Sequence, residues 1–80
     1  MALHLSIVSP EKTLYSGEAE RVLLPGTKGA FEVLNNHAPI ISSLGKGMLT
    51  YTVSGESREL RVSGGFVEVL RNEVLVCVTL

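Results

Sequence analysis

Apolar side chains alternate with polar ones along most of this 80-residue chain. In the clearest stretch, Leu49, Tyr51 and Val53 alternate with Thr50 and Thr52. A period of two places successive side chains on opposite faces of a strand, and no segment keeps the three-and-four spacing of an amphipathic helix for three turns. Turn signals recur about every ten residues, which is typical of sandwiches and barrels. The pattern predicts an all-β, antiparallel fold in a single domain over residues 1–80.

The two ends of the chain give the most definite strand predictions. Leu3, Leu5 and Ile7 alternate with polar residues, which predicts a half-buried first strand. The last run, from 74 to 80, is apolar on both sides, which favours a position in the middle of a sheet. Gly17 is expected to stop a short extended piece at 13–16, and Gly64-Gly65 is expected to form a bulge or bend.

Charge and composition exclude several classes of function. The net charge is −1 with both signs mixed, whereas duplex nucleic acid requires clustered basic residues, so no nucleic-acid partner is expected. The lone Cys77 cannot form an internal disulfide, which is consistent with a reducing compartment. Cys77 itself is interpreted as a small residue of the core. No apolar run approaches the roughly 20 residues of a membrane span, and Met1-Ala2-Leu3-His4 does not begin a signal peptide. We therefore expect a soluble, cytoplasmic chain whose membrane association comes only through partners.

No constellation of residues indicates catalysis, a metal or a cofactor. His4 and His37 lie in different elements, and the carboxylates are eight glutamates placed mostly in turns or on outward positions. The segment from Gly26 to Gly29 lacks the spacing and the following helix of a phosphate-binding loop. For His37, two interpretations stay open: an exposed contact residue beside Pro39, or a loop residue whose ring caps local backbone groups.

Several motifs follow one another in an order that resembles a known family. They are Leu5-x-Ile7-Val8-Ser9-Pro10-Glu11, Tyr15-Ser16-Gly17-Glu18, Leu24-Pro25-Gly26-x-x-Gly29, His37-Ala38-Pro39, Leu44-x-x-Gly47-x-Leu49 and Ser63-Gly64-Gly65-Phe66-x-Glu68-Val69. The chain is similar over nearly its whole length to the N-terminal β-sandwich domain of the epsilon subunit of the rotary ATP synthase, whose mitochondrial counterpart is called delta.

The resemblance implies a ten-stranded sandwich of two five-stranded sheets, without a helical hairpin in this chain. It implies a non-catalytic subunit at the foot of the central stalk, monomeric when isolated, on the cytoplasmic face of the bacterial inner membrane. Its partners would be the gamma subunit and the c-ring, and it would couple proton-driven rotation to ATP synthesis. The positions that match the gamma-facing side are Ser9, His37 and Ser42. The loop that matches the c-ring side is Lys28-Gly29-Ala30.

The chain departs from the family pattern at three places and in its length. Ala30 stands where a glutamate is usual, so either Lys28 or Glu32 is expected to supply the ring-facing charge. Glu32 stands at a common glycine, and Asn35-Asn36 replaces the usual Pro-Gly, with the turn expected to survive because asparagine tolerates the left-handed region. Relatives continue into a C-terminal helical hairpin that inhibits ATP hydrolysis, so neither hairpin inhibition nor a nucleotide site is expected here.

Two other functions are compatible with parts of the sequence. The first is a free-standing sandwich that binds a ligand such as a sugar or peptide, for which two Phe, two Tyr and no Trp give little aromatic surface. The second is a small hydrolase that uses His37 with Ser42 or Ser43. Such an enzyme needs an orienting acid, and the chain contains no aspartate.

Overall fold

The computed structural model describes residues 3–80, and its regular structure consists of strands. Within that range nine strands follow one another: β1 (Leu3–Val8), β2 (Thr13–Ala19), β3 (Arg21–Leu24), β4 (Phe31–Val33), β5 (Ile40–Leu44), β6 (Gly47–Val53), β7 (Glu56–Val62), β8 (Gly64–Leu70) and β9 (Glu73–Thr79). No helix in the described range is long and apolar enough to cross a membrane. Met1 and Ala2 belong to the segment that is not expected to begin a signal peptide, and they lie outside the described residues.

The strands form two sheets, one of five strands in the order β2-β1-β9-β8-β5 and one of four in the order β4-β3-β6-β7. The all-β sandwich class is confirmed, but the predicted ten strands in two five-stranded sheets are wrong for residues 3–80. Gly26 and Leu44 make only an isolated bridge. The backbone around Pro25 turns there instead of running on as a further strand: Gly26 N–H donates to the Leu24 carbonyl at 3.1 Å, and Gly29 N–H donates to the Gly26 carbonyl at 3.0 Å.

The final strand lies in the centre of the five-stranded sheet, as its composition predicted. β9 pairs with β8 antiparallel and with β1 parallel, so the expectation of a purely antiparallel fold is wrong at this one pair. A parallel pair requires a long connection between its strands. That condition is met because β1 and β9 are separated by almost the whole chain.

The core lies between the sheets and is built from aliphatic side chains. Leu3, Leu5 and Ile7 are fully buried on β1, which confirms the predicted first strand. The other buried hydrophobic residues are Ala19, Val22, Leu24, Val33, Leu44, Leu49, Val62, Val67, Val69, Val74, Val76 and Val78. Cys77 lies between buried Val76 and Val78 and is only partly buried. Its interpretation as a core residue is therefore wrong, because alternation along β9 places it on the opposite face.

Local backbone geometry explains where the strands turn. Ser54 and Gly55 connect β6 to β7, while Arg71 and Asn72 connect β8 to β9; all four have positive φ, as two-residue type I′ hairpin turns require. Gly17 does not stop a strand as predicted. Its φ of 156° is one that side-chain-bearing residues rarely adopt, yet β2 continues through it to Ala19.

Candidate interaction surfaces

The side of the five-stranded sheet that faces away from the core carries large exposed apolar side chains; we call this side the outer face. The exposed fractions are 75% for Ile41, 48% for Phe66, 50% for Leu70 and 38% for Leu75. Exposed apolar residues are ordinary when scattered but indicate an interaction site when contiguous. Whether these residues indicate an interaction site therefore depends on whether they are neighbours on the sheet.

Strand register shows that the apolar residues of the outer face are neighbours. Val8 lies opposite Cys77, and Cys77 lies opposite Phe66. In the next row Leu75 and Ile41 both lie opposite Glu68. A groove of about 300 Å³ opens beside the row of Val8, Cys77 and Phe66. It is lined by Val8, Ser9, Pro10, Gly65, Phe66, Cys77, Val78 and Thr79. The outer face thus carries a group of neighbouring apolar side chains that is interrupted by Glu68 and bordered by Glu73, which lies opposite Leu70.

His37 lies at the end of the sandwich where β5 begins. Its Nδ1 is 2.7 Å from the carbonyl oxygen of Ala38, so Nδ1 carries the hydrogen and the ring caps its own loop. This contact favours the local-cap interpretation, while the half-buried ring still reaches the surface.

A second contact ties the His37 loop to the β8–β9 turn. Asn36 has a φ of 67°, so asparagine does sustain the left-handed turn in place of Pro-Gly. Its backbone N–H donates to Asn72 Oδ1 at 2.6 Å, and Asn72 Nδ2 donates to Asn36 Oδ1 at 3.4 Å. The orientation of this loop therefore depends on a side chain distant in sequence.

Ser9 and Ser42 do not join His37 in one cluster. Ser9 lies just beyond Val8, at the opposite end of the sheet from His37, and its hydroxyl donates to the Lys12 carbonyl at 3.2 Å. Ser42 lies opposite buried Val67 and therefore points toward the other sheet. The three predicted gamma-facing residues border the five-stranded sheet, whereas the apolar residues form the surface between them.

The Lys28-Gly29-Ala30 loop lies at the same end of the sandwich as Ser9. The loop is part of a turn that is closed by a hydrogen bond from Gly29 N–H to the Gly26 carbonyl at 3.0 Å. All three predicted residues are exposed. The loop is fixed to β5, because Thr27 N–H donates to the Ser43 carbonyl at 3.1 Å and the two hydroxyl oxygens lie 2.7 Å apart.

The described residues do not form the hydrolase considered from the sequence. The Ser43 hydroxyl is hydrogen-bonded to Thr27, and the Ser42 hydroxyl donates to the Ser43 carbonyl at 3.1 Å. Neither contacts His37, whose Nδ1 is engaged by Ala38. Over residues 3–80, moreover, no three His, Cys or Glu side chains come together as metal ligands would.

Little aromatic surface is available for a free-standing ligand-binding site. Tyr15 and Tyr51 pack on each other with ring centroids 5.0 Å apart, and Phe31 packs against the core. Phe66 is the one exposed aromatic residue among those the structure describes. A groove of about 400 Å³ near His4 is lined mainly by charged and aliphatic side chains, with no Phe, Tyr or Trp ring among them.

A partner-facing side is expected to carry outward apolar residues, and Val8, Ile40 and Ile41 are the candidates that the sequence offers beside the predicted gamma-facing positions. Ile41 is the most exposed large apolar residue among those described, Val8 is half-buried on the same face, and Ile40 packs against the core. Phe66, Leu70 and Leu75 were missed. The signal was present in the apolar outward positions of β8 and β9, but the apolar residues on both sides of β9 were interpreted only as a sign that it lies in the middle of a sheet.

Comparison with known proteins identifies the fold and the family. The family model for the ATP synthase delta/epsilon chain β-sandwich domain matches residues 2–79. The chain is 42% identical over 74 residues to the ATP synthase epsilon chain of Leptospira borgpetersenii serovar Hardjo-bovis (strain JB197), which covers 92% of this chain and 58% of that protein. It is 49% identical over 72 residues to the epsilon chain of Desulfitobacterium hafniense (strain DSM 10664 / DCB-2), covering 90% of this chain and 54% of that one. The chain thus spans little more than half the length of these relatives.

Solved structures show the same sandwich. A chain of the Euglena gracilis mitochondrial ATP synthase superposes with a TM-score of 0.93 at 18% identity, over 99% of this chain and 51% of its own length. A chain in the central stalk and c-ring structure of the Tetrahymena thermophila mitochondrial ATP synthase gives 0.80 at 19% identity, over 95% and 62%. These likenesses show the fold alone. Together with the family model and the bacterial relatives, they confirm the resemblance first indicated by the motifs: this chain belongs to the family of the ATP synthase delta/epsilon chain β-sandwich domain.

Proposed function

We propose that residues 1–80 act as one non-catalytic domain in the central stalk of a proton-translocating rotary ATP synthase. In this proposal the domain binds the gamma subunit and the c-ring, and so couples rotation of the ring to ATP synthesis at catalytic sites in other subunits. The observation that carries it is the group of exposed apolar side chains on the outer face of a member of this family. A surface of this kind is suited to a large protein partner and requires no chemistry of its own.

The outer face is assigned to the gamma subunit. A standard interface buries about 800 Å² on each partner, which matches one whole face of so small a sandwich better than a single loop. Ser9 and the His37 loop lie at opposite ends of this sheet, so a partner that covers the face would reach both. Ser42, on the inner side of edge strand β5, would lie at its border.

The Lys28-Gly29-Ala30 loop is assigned to the c-ring. It projects from one end of the sandwich, away from the apolar centre of the outer face, and hydrogen bonds to β5 hold it in place. Two partners could therefore be bound at once. The domain would be peripheral to the cytoplasmic face of a bacterial inner membrane through these partners, and monomeric when purified alone, without a cofactor or metal.

Two matched leucines test the gamma assignment. Leu75 on the outer face is 38% exposed and Leu23 on the opposite sheet is 41% exposed. Binding of the cognate gamma subunit is measured by calorimetry for Leu75→Ser and Leu23→Ser, with circular dichroism to verify folding. Leu75→Ser should weaken binding about tenfold or more, equivalent to about 1.4 kcal/mol, while Leu23→Ser should leave it unchanged. The proposal fails if the unmodified chain ignores gamma, or if both variants bind equally.

A further inference from the structure

All three lysines of the chain lie in loops at one end of the sandwich, which we call the lysine end. Strand register places them there. Val8, Cys77, Phe66 and Ser43 lie in one row across the five-stranded sheet. Lys12 lies in the turn just beyond Val8, and Lys46 follows Leu44 just beyond Ser43. Lys28 belongs to the Gly26–Gly29 turn, which is bridged to Leu44.

The lysine end has the opposite sign of charge from the rest of the molecule. Glu11 is the single carboxylate in its loops, whereas the remainder of the chain carries four arginines and seven glutamates. All three lysines are exposed, and the ion pairs found among residues 3–80 join Arg21 to Glu32 and Arg58 to Glu56. The ammonium groups are therefore not neutralised by carboxylates of the described residues.

The structure also decides which residue supplies charge near the loop assigned to the ring. Ala30 has none, and Glu32 accepts an ion pair from Arg21 Nη2 at 2.6 Å. Since Glu32 is satisfied within the second sheet, Lys28 is the charged group that remains free there. The charge presented at this end is consequently positive.

Hydrogen bonds hold two of the lysines in a fixed relation. The loop that carries Lys46 is joined to the loop that carries Lys28, because Gly45 N–H donates to the Pro25 carbonyl at 2.8 Å. Lys12 lies in a turn that is closed by a hydrogen bond from Ser9 N–H to the Lys12 carbonyl at 2.9 Å. Charges on ordered turns can meet matching charges without further ordering of the backbone, which favours specific recognition.

We propose that the lysine end recognises carboxylate side chains on the polar loops of the ring on which the domain rests. The inference depends on the proposed function, because it requires this end to face the ring. Anionic lipid headgroups would also attract ammonium groups, but recognition of such headgroups characteristically uses clusters of about four to eight basic residues. Three lysines beside one glutamate fall below that range and fit a few protein carboxylates better.

The test compares two double variants that remove equal charge. Lys28→Gln with Lys46→Gln alters the lysine end, and Arg58→Gln with Arg61→Gln alters β7. Binding is measured to a cognate gamma–ring complex in phosphatidylcholine nanodiscs and to gamma alone. The salt concentration is raised from about 50 to about 300 mM, which increasingly screens exposed charges. The lysine variant should lose about tenfold or more in affinity for the complex, with most of the salt dependence, while the arginine variant should stay within about twofold.

The results separate this inference from the proposed function. If the lysine variant binds gamma–ring as tightly as the unmodified chain, the inference is wrong and the stalk assignment stands. If the unmodified chain binds neither gamma nor gamma–ring, the proposed function itself is wrong. Two further results would overturn the inference: unchanged binding when the ring-loop carboxylates become amides, or equally tight binding to phosphatidylglycerol vesicles without a ring.

Discussion

Replacement of Gly65 by alanine should disrupt the central pair of strands. A Cβ built at Gly65 would lie 2.0 Å from the Cys77 carbonyl oxygen and 3.0 Å from Val78 Cα, whereas ordinary contacts are 3.4 Å or longer. Gly65 lies opposite Val78 in the β8–β9 ladder. Because the obstructing atoms are backbone atoms of the central strand, no side chain can rotate away, and the two strands must separate.

The magnitude follows from two contributions. The φ of 141° at Gly65 is one that side-chain-bearing residues rarely adopt, which costs about 1–3 kcal/mol. The steric overlap adds about 1–3 kcal/mol, the usual penalty for overpacking. The total of about 2–6 kcal/mol compares with about 4–12 kcal/mol of net stability expected for a chain of this length. Gly65→Ala should therefore consume a large part of the free energy of unfolding.

Gly29→Ala is the matched control, because Gly29 has a similar φ of 129° and a Cβ there would meet no atom within 4 Å. Urea denaturation of both variants, followed by far-ultraviolet circular dichroism, gives the two free energies of unfolding. Gly65→Ala should be less stable than Gly29→Ala by at least about 1 kcal/mol, the lower bound of the overpacking penalty. Equal stability would show that the backbone conformation alone matters and would refute the argument from overlap.

Two further perturbations probe the loops and the core. Asn72→Gly keeps the left-handed turn but removes the acceptor of Asn36 N–H. Hydrogen exchange of the Asn36 amide, measured by NMR, should therefore accelerate about fivefold for a bond of about 1 kcal/mol. Asn72→Asp keeps an acceptor and should preserve protection, so equal exchange in both variants would contradict the assignment. Leu49→Ala empties a fully buried site and should destabilise the domain by about 2–5 kcal/mol in calorimetry. Ile41→Ala, at a 75% exposed site, should change stability by less than about 0.5 kcal/mol, and equal losses would contradict the assigned core.

Alternation in the sequence predicted which side chains of a strand point inward more reliably than it predicted what covers the outward side. Leu3, Leu5 and Ile7 are buried as predicted, because a half-buried strand requires this period whatever its neighbours are. For β9, apolar residues on both sides correctly predicted a position in the middle of a sheet. They could not show that its outward side is exposed, because an apolar side chain suits both a face covered by the chain itself and one available to another protein.

The candidate surfaces were only partly accessible from sequence. The motifs identified the family and selected the Lys28-Gly29-Ala30 loop and His37, since motif order survives without knowledge of pairing. They could not show that Ser9 and His37 lie at opposite ends of one sheet. They also could not choose between Lys28 and Glu32, because the 2.6 Å contact of Glu32 with Arg21 is made between neighbouring strands.

The amino-acid sequence by itself determined the all-β class, the inward residues of the first strand and the family, because each depends on local periodicity or on motif order. Tertiary structure decided the parallel β1–β9 pair, the five-plus-four division of strands, the exposed apolar face and the gathering of the three lysines at one end. Each of these depends on which distant strands become neighbours, and that choice is made by burial of the whole core at once.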